Sequence, residues 1–144
     1  MTYAKNPVVT NTGDGSAWIR VDVTLSDATA FMTAAESHGI TDLATIFLGH
    51  DATKWTLAEK VYNNTSSNQS EHTLTYRYYY NELLAKNAST PALFTAVKIP
   101  SQFNNADMAA IGTDFTITVQ AHAMQTSGEY TTVQGAFAVY TPEN

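Results

Sequence analysis

The longest regular alternation of apolar and polar positions lies at 114–125, DFTITVQAHAMQ. Phe115, Ile117, Val119, Ala121 and Ala123 alternate there with Thr116, Thr118, Gln120, His122 and Met124. Period two sustained over that length marks a strand with one buried face. Gly112 precedes the stretch and TSGEY follows it, so both ends are punctuated. The inward set shrinks from Phe through Val to Ala, which points to close approach by another layer. The expectation is a central strand of an antiparallel sandwich, with His122 outward, solvated or at an interface.

The same pattern recurs upstream. Residues 2–10 read as a short strand carrying Asn6-Pro7, and a proline without an N–H is tolerated mainly at an edge or a strand start. NTGDGS at 11–16 has the glycines of a hairpin turn. In 17–25, Ile19, Val21, Val23 and Leu25 form one face, expected inward. Trp18, Arg20, Asp22 and Thr24 form the other, expected outward. Further strands are expected at 54–62, 71–81 and 93–99. In the first of these Trp55, Leu57 and Val61 alternate, with Glu59 a mismatch; Pro100 ends the last.

The period changes at Ser26. SDATAFMTAAESHG supplies Ser26 or Asp27 as N-cap, alanine-rich helix formers, and Gly39 just past the end. Thr41-Asp42 opens a second short helical stretch with Leu43, Ile46 and Phe47, closed by Gly49. Both are expected across one end of the sandwich. Residues 63–71, NNTSSNQSE, carry no apolar side chain and read as an exposed loop. Residues 101–111 read as irregular or one helical turn. Val133, Ala136, Phe137 and Tyr140 fall at i, i+3, i+4 and i+7, the spacing of a C-terminal helix.

Length adds one constraint: 144 residues without a repeat or linker make a single domain. Only 14% of residues are charged, and Thr, Ala, Asn, Tyr and Ser abound, which suits a β-rich extracellular domain. Net charge is −6 with seven Lys and Arg and no basic cluster, which argues against nucleic acid and anionic membranes as partners. With no cysteine there is no disulfide, thiolate ligand or thiol nucleophile. No apolar run approaches the roughly 18 residues of a membrane span, so no membrane insertion is expected. Thr2 reads as a strand already under way, so an upstream signal segment and first strand are expected before Met1.

Candidate chemistry is sparse. His38, His50, His72 and His122 lie far apart, and no HExxH helix is present to set two imidazoles around zinc. His50-Asp51 has no GxSxG elbow beside it, and Ser and Thr are too numerous to nominate a nucleophile. Glu36, Glu59, Glu71, Glu82 and Glu129 show no acid/base spacing, and Asp14 sits in a turn lacking a calcium-loop ligand series. No catalytic, cofactor-binding or metal-binding residue is assigned, and no cofactor is expected. The most distinctive cluster is aromatic. Tyr76, Tyr78 and Tyr80 share one strand face, either as a ladder that stacks on sugar rings or another subunit, or as the core of a wide sandwich.

In order along the chain, NPVVTNTGDGSAWIRVDV, YRYYYNELLAKNASTPALFTAVKIP and FTITVQAHAMQ resemble the TasA/camelysin family of exported bacterial proteins. The matching positions are Asn6-Pro7, Asn11-Thr12-Gly13, Ile19-Arg20-Val21, Tyr78-Tyr79-Tyr80, Leu83-Leu84, Thr90-Pro91-Ala92-Leu93-Phe94 and Ala121-His122-Ala123-Met124-Gln125. Thr126-Ser127-Gly128 stands where the family usually continues with an acidic-aromatic helix, and Phe137 stands in place of a Trp. The resemblance implies a jelly-roll-like antiparallel β-sandwich with short helices between strands and at the C-terminus. Its relatives form biofilm-matrix or surface fibres, or are described as camelysin-like metalloproteases.

Three function classes follow. The first is a secreted or cell-surface fibre subunit whose partner is itself, by strand complementation, or another matrix protein. Its candidate assembly edge is Tyr3, Lys5, Val8 and Val9. The second is a carbohydrate- or surface-binding adhesin using Tyr76, Tyr78 and Tyr80. The third, a metallopeptidase, lacks a ligand set.

Overall fold

The computed structural model of the chain describes residues 2–113, 115–126, 128 and 130–138. The fold is mostly β. Its strands are β1 (Thr2–Ala4), β2 (Ala17–Leu25), β3 (Phe47–Leu48), β4 (Trp55–Asn63), β5 (Thr73–Tyr80), β6 (Ala96–Lys98) and β7 (Ile117–Gln125). They form two antiparallel sheets, ordered β1-β6-β3 and β4-β5-β2-β7. The layers meet through aromatic rings. Phe47 of β3 stacks on Phe94 and meets Tyr76 and Tyr78 of β5 edge-on, at 5.6 and 6.5 Å between centroids.

β2 is the central strand, paired along its length with β5 on one side and β7 on the other. β7, expected to be central, is instead an edge of the larger sheet. Its inward set divides accordingly. Phe115, Ile117 and Val119 pack partly buried against the core, whereas Ala121 and Ala123 are exposed beyond its cover. Alternation reports that one face is apolar. It does not report how many neighbours the strand has.

The second correction is on β2. Ile19, Val21, Val23 and Leu25 are fully buried as expected, but Trp18, Arg20 and Asp22 on the opposite face are buried too. That face is roofed by α3 (Val133–Phe137), which forms a separate small cluster with Trp18. Only Tyr140 of the expected C-terminal helix falls outside the described residues.

Glu59 breaks its pattern for a local reason. The β4–β5 register shifts between Leu57 and Glu59, so this bulge places Glu59 opposite Arg77 and Lys60 opposite Tyr76. Val61 thereby lands opposite Thr75, off the face expected for it.

α1 (Ala28–Ser37) buries Ala28, Phe31, Ala34 and Ala35. It ends in a Schellman motif: Gly39 N–H donates to Glu36 O and Ile40 N–H to Ala35 O, with Gly39 at φ 75°. At its start Asp27 takes a left-handed φ of 44° and makes no side-chain cap. The 41–49 stretch is a 3₁₀ turn, Leu43–Ile46, leading directly into β3. The segment expected to be irregular before β7 contains α2 (Asn105–Ile111), closed by a reciprocal capping box between Asn104 and Asp107. α2 packs against α1, so the two helices share one end of the molecule. Among the described residues no helix is long and apolar enough to cross a membrane.

Candidate functional site

The tyrosine ladder is core. Tyr76, Tyr78 and Tyr80 are 2%, 2% and 7% exposed, and their rings face the second sheet rather than solvent. Burial pushes the Tyr76 phenol up to about 12 and the Tyr78 phenol higher. Rings so enclosed cannot stack on a sugar. Of the two readings open for Tyr76, Tyr78 and Tyr80, an aromatic binding strand and the core of the sandwich, their burial supports the core.

The histidines are scattered as their sequence positions imply. His38 Nε2 lies 2.7 Å from Asp107 Oδ2 and ties α1 to α2. His72 Nε2 faces the Ser66 carbonyl at 2.7 Å, so in the neutral ring it carries the proton. Nδ1 then accepts from the Thr29 hydroxyl at 2.6 Å, which also meets Tyr62. This network pins the 63–72 loop to the start of α1. His50 packs against Tyr78, and the neighbouring Asp51 carboxylate accepts from the Thr53 N–H and hydroxyl instead. No three His, Cys, Asp or Glu side chains among the described residues converge as metal ligands.

The open side of the sandwich has a different character. Ser26 N–H donates to Thr116 O and Thr126 N–H to Ser16 O, so even-numbered residues of β7 exchange bonds with β2. The N–H and C=O groups of Ile117, Val119, Ala121 and Ala123 therefore point away from the sheet. Among the described residues the one hydrogen bond to this row comes from Lys5 Nζ, 3.3 Å from Ile117 O.

Facing this edge is the N-terminal segment. Lys5 N–H donates to Thr95 O, while Pro7 O and Val9 O accept from Leu93 and Thr90. The chain from Thr2 to Val9 thus runs along residues 90–98, and no backbone hydrogen bond to another described residue occupies its outer edge at Asn6 and Val8. Between the two edges lie adjoining apolar grooves of ≈650 and ≈390 Å³. Ile117, Phe115, Ile99 and Tyr3 line the first, and Val119, Ala121 and Val8 the second. Of the expected assembly edge, Tyr3 and Val8 are half exposed and Lys5 and Val9 are partly buried; all four lie along this opening.

The two edges of the larger sheet differ. β4 carries Glu59 and Lys60 and is interrupted by its bulge, devices that discourage pairing with another chain. β7 runs nine residues, ITVQAHAMQ, without a carboxylate, a lysine, a proline or a bulge. One edge is protected and the other is open.

A second constellation, not anticipated from the sequence, lies on the outer face of the same sheet. Arg20 Nε is 3.1 Å from Asp22 Oδ1, His122 Nε2 is 3.3 Å from Asp22 Oδ2, and Arg77 Nε is 3.8 Å from Asp22 Oδ2. Arg77 also bonds Glu59 at 2.9 Å. His122, expected outward and solvated, is 9% exposed at its side chain. Burial, and then the Arg20 charge, hold its imidazole below the usual histidine range. The available signal was Trp18, Arg20 and Asp22 on one face of β2, a large apolar ring beside two opposite charges.

No protein-family model matches the chain, and neither a curated protein nor a solved structure matches it.

Proposed function

We propose that this chain is a non-catalytic structural protein of the cell surface or extracellular matrix, a fibre subunit that associates with copies of itself by strand addition. The observation that carries the reading is the uncharged nine-residue edge of β7 opening onto an apolar groove. An extended segment of a second copy could pair with the free groups of Ile117 to Ala123 and place alternate side chains in the two grooves. It would face the unpaired side of residues 6–8 as well, and so join both sheets. Among the described residues only Lys5 charges either wall, and 14% charged residues overall give little repulsion between copies. The resemblance to the TasA/camelysin proteins carries the same expectation.

The test uses Ala121→Lys, a charge placed at an exposed position of the edge. Wild-type protein should form elongated particles as concentration rises, seen by light scattering and electron microscopy. The variant should keep its melting temperature and remain monomeric. A wild-type protein that stays monomeric up to millimolar concentration, or a variant that assembles equally well, would overturn the proposal.

A further inference from the structure

The register shift in β4 leaves space beside the core. On the face that β4 and β5 share, Trp55 lies opposite Tyr80 and Leu57 opposite Tyr78, but beyond the bulge Lys60 lies opposite Tyr76. A lysine at an inward position keeps its ammonium in water and leaves room beside its stem. Lys60 does this. Its side chain is half exposed, with Nζ 5.8 Å from the centre of the Tyr76 ring and 3.9 Å from Asp42 Oδ1. α1 widens the gap by presenting the small Ala35 to it.

The result is a cavity of ≈210 Å³ between the end of α1, residues 40–43 and the β4–β5 pair. Met32, Ala35, Ile40, Leu43 and Leu74 line it together with Tyr76, and the exposed Glu36, Thr41 and Lys60 form its mouth. The polar group buried in this wall is the Tyr76 phenol, which is 2% exposed and makes no hydrogen bond to a described residue. Burial, and then the Asp42 charge, raise it to about 12, so it stays a neutral donor at physiological pH. A phenol enclosed and left unbonded is costly, and a partner that accepts its hydrogen bond removes that cost.

We propose that this cavity binds a small uncharged aromatic molecule whose single oxygen accepts a hydrogen bond from Tyr76. An apolar cavity of about 150 Å³ holds benzene, so ≈210 Å³ suits one ring with a short substituent. Met32 brings an adaptable thioether that favours contact with an aromatic ring. The surroundings select against charge. A carboxylate would meet Glu36 and Asp42 at the mouth and an ammonium would meet Lys60, and either would lose hydration among the apolar side chains. The cavity lies on the β4–β5 side of the sheet, away from β7, so this inference is independent of the strand-addition reading.

Titration of the full chain with benzyl alcohol, followed by methyl NMR, tests it. The Met32, Leu43 and Leu74 signals should shift and saturate, while Leu83, exposed and outside the cavity, stays still. Benzoate and benzylamine should bind at least tenfold more weakly. Tyr76→Phe should weaken benzyl alcohol by about threefold or more, and should leave toluene, which has no oxygen to bond, unweakened. Ala35→Leu should fill the cavity and abolish saturable shifts with both probes. Shifts that grow without saturating, benzoate or benzylamine binding as tightly as benzyl alcohol, or saturable binding that survives in folded Ala35→Leu would each overturn the proposal. So would a Tyr76→Phe variant that weakens benzyl alcohol and toluene alike, or neither. The Tyr76→Phe comparison stands even where Ala35→Leu fails to fold.

Discussion

Lys5 Nζ donates to the carbonyl of Ile117 at 3.3 Å, a bond that crosses from the N-terminal edge of one sheet to the free edge of the other. It occupies one acceptor in a row otherwise open to an incoming strand. A flexible ammonium is easily displaced, and among the described residues it is the sole charge on the walls of the groove.

Lys5→Met should therefore free the edge with little effect on the fold. Stability should change by no more than about 0.5 kcal/mol, as for a surface substitution, while the rate of self-association rises. Parallel denaturation and light-scattering measurements check both parts, and an unchanged or slower association rate would count against the role given to this side chain.

The phase of β7 is testable one residue at a time. Val119 sits opposite Val23 and packs partly buried against the core, whereas Thr118 is exposed. Val119→Asp should cost about 1–3 kcal/mol, because it desolvates a carboxylate without a partner. Thr118→Asp should lie within about 0.5 kcal/mol of wild type. Equal midpoints in urea for the two variants would contradict the assigned faces.

Enclosure of the tyrosine ladder predicts alkaline instability. Folding raises Tyr76 to about 12, from about 10 for an unperturbed phenol. The folded chain thus keeps a proton that the unfolded chain releases, and this contribution is fully present below pH 10. It declines as pH rises from about 10 towards about 12. An absorbance titration should show a late-ionising group lost in Tyr76→Phe and Tyr78→Phe. Ionisation of every tyrosine near pH 10 with circular dichroism unchanged would refute the burial.

At the helical end, Asp107 serves two partners. Its carboxylate accepts from the Asn104 N–H at 2.9 Å and meets His38 at 2.7 Å. The Asn104 bond first, and His38 second, hold it below the usual carboxylate range. The stability it contributes is present above the ordinary aspartate pKa and is lost as pH falls through the lowered folded value. Asp107→Ala and Asn104→Ala should each lower the melting temperature. Because they break one capping box, the double variant should lose less than the sum, as a double-mutant cycle would read. Strict additivity would show that the box is not a unit.

Much of this chain is decided locally. Alternation marked strands at 17–25, 71–81 and 114–125, where the structure has 17–25, 73–80 and 117–125, and the Ser26–Gly39 signals marked α1 and its glycine end, because both depend on residues a few positions apart. Tyr76, Tyr78 and Tyr80 were legible as one face, with core and binding surface both open, since an apolar-rimmed phenol suits either setting. Even the β4 bulge left a trace, in Glu59. Pairing, by contrast, is a property of the whole. Nothing within DFTITVQAHAMQ distinguishes an edge from a centre. The edge exists because β2 takes β5 on one side and β7 on the other, leaving no strand beyond β7 among the described residues. The outer face of β2 is hidden for the same kind of reason: Trp18, Arg20 and Asp22 look like solvent-facing residues until α3 and His122 arrive from more than ninety residues away. Periodicity fixes which side of a strand a residue takes, and only tertiary contacts determine what that side meets.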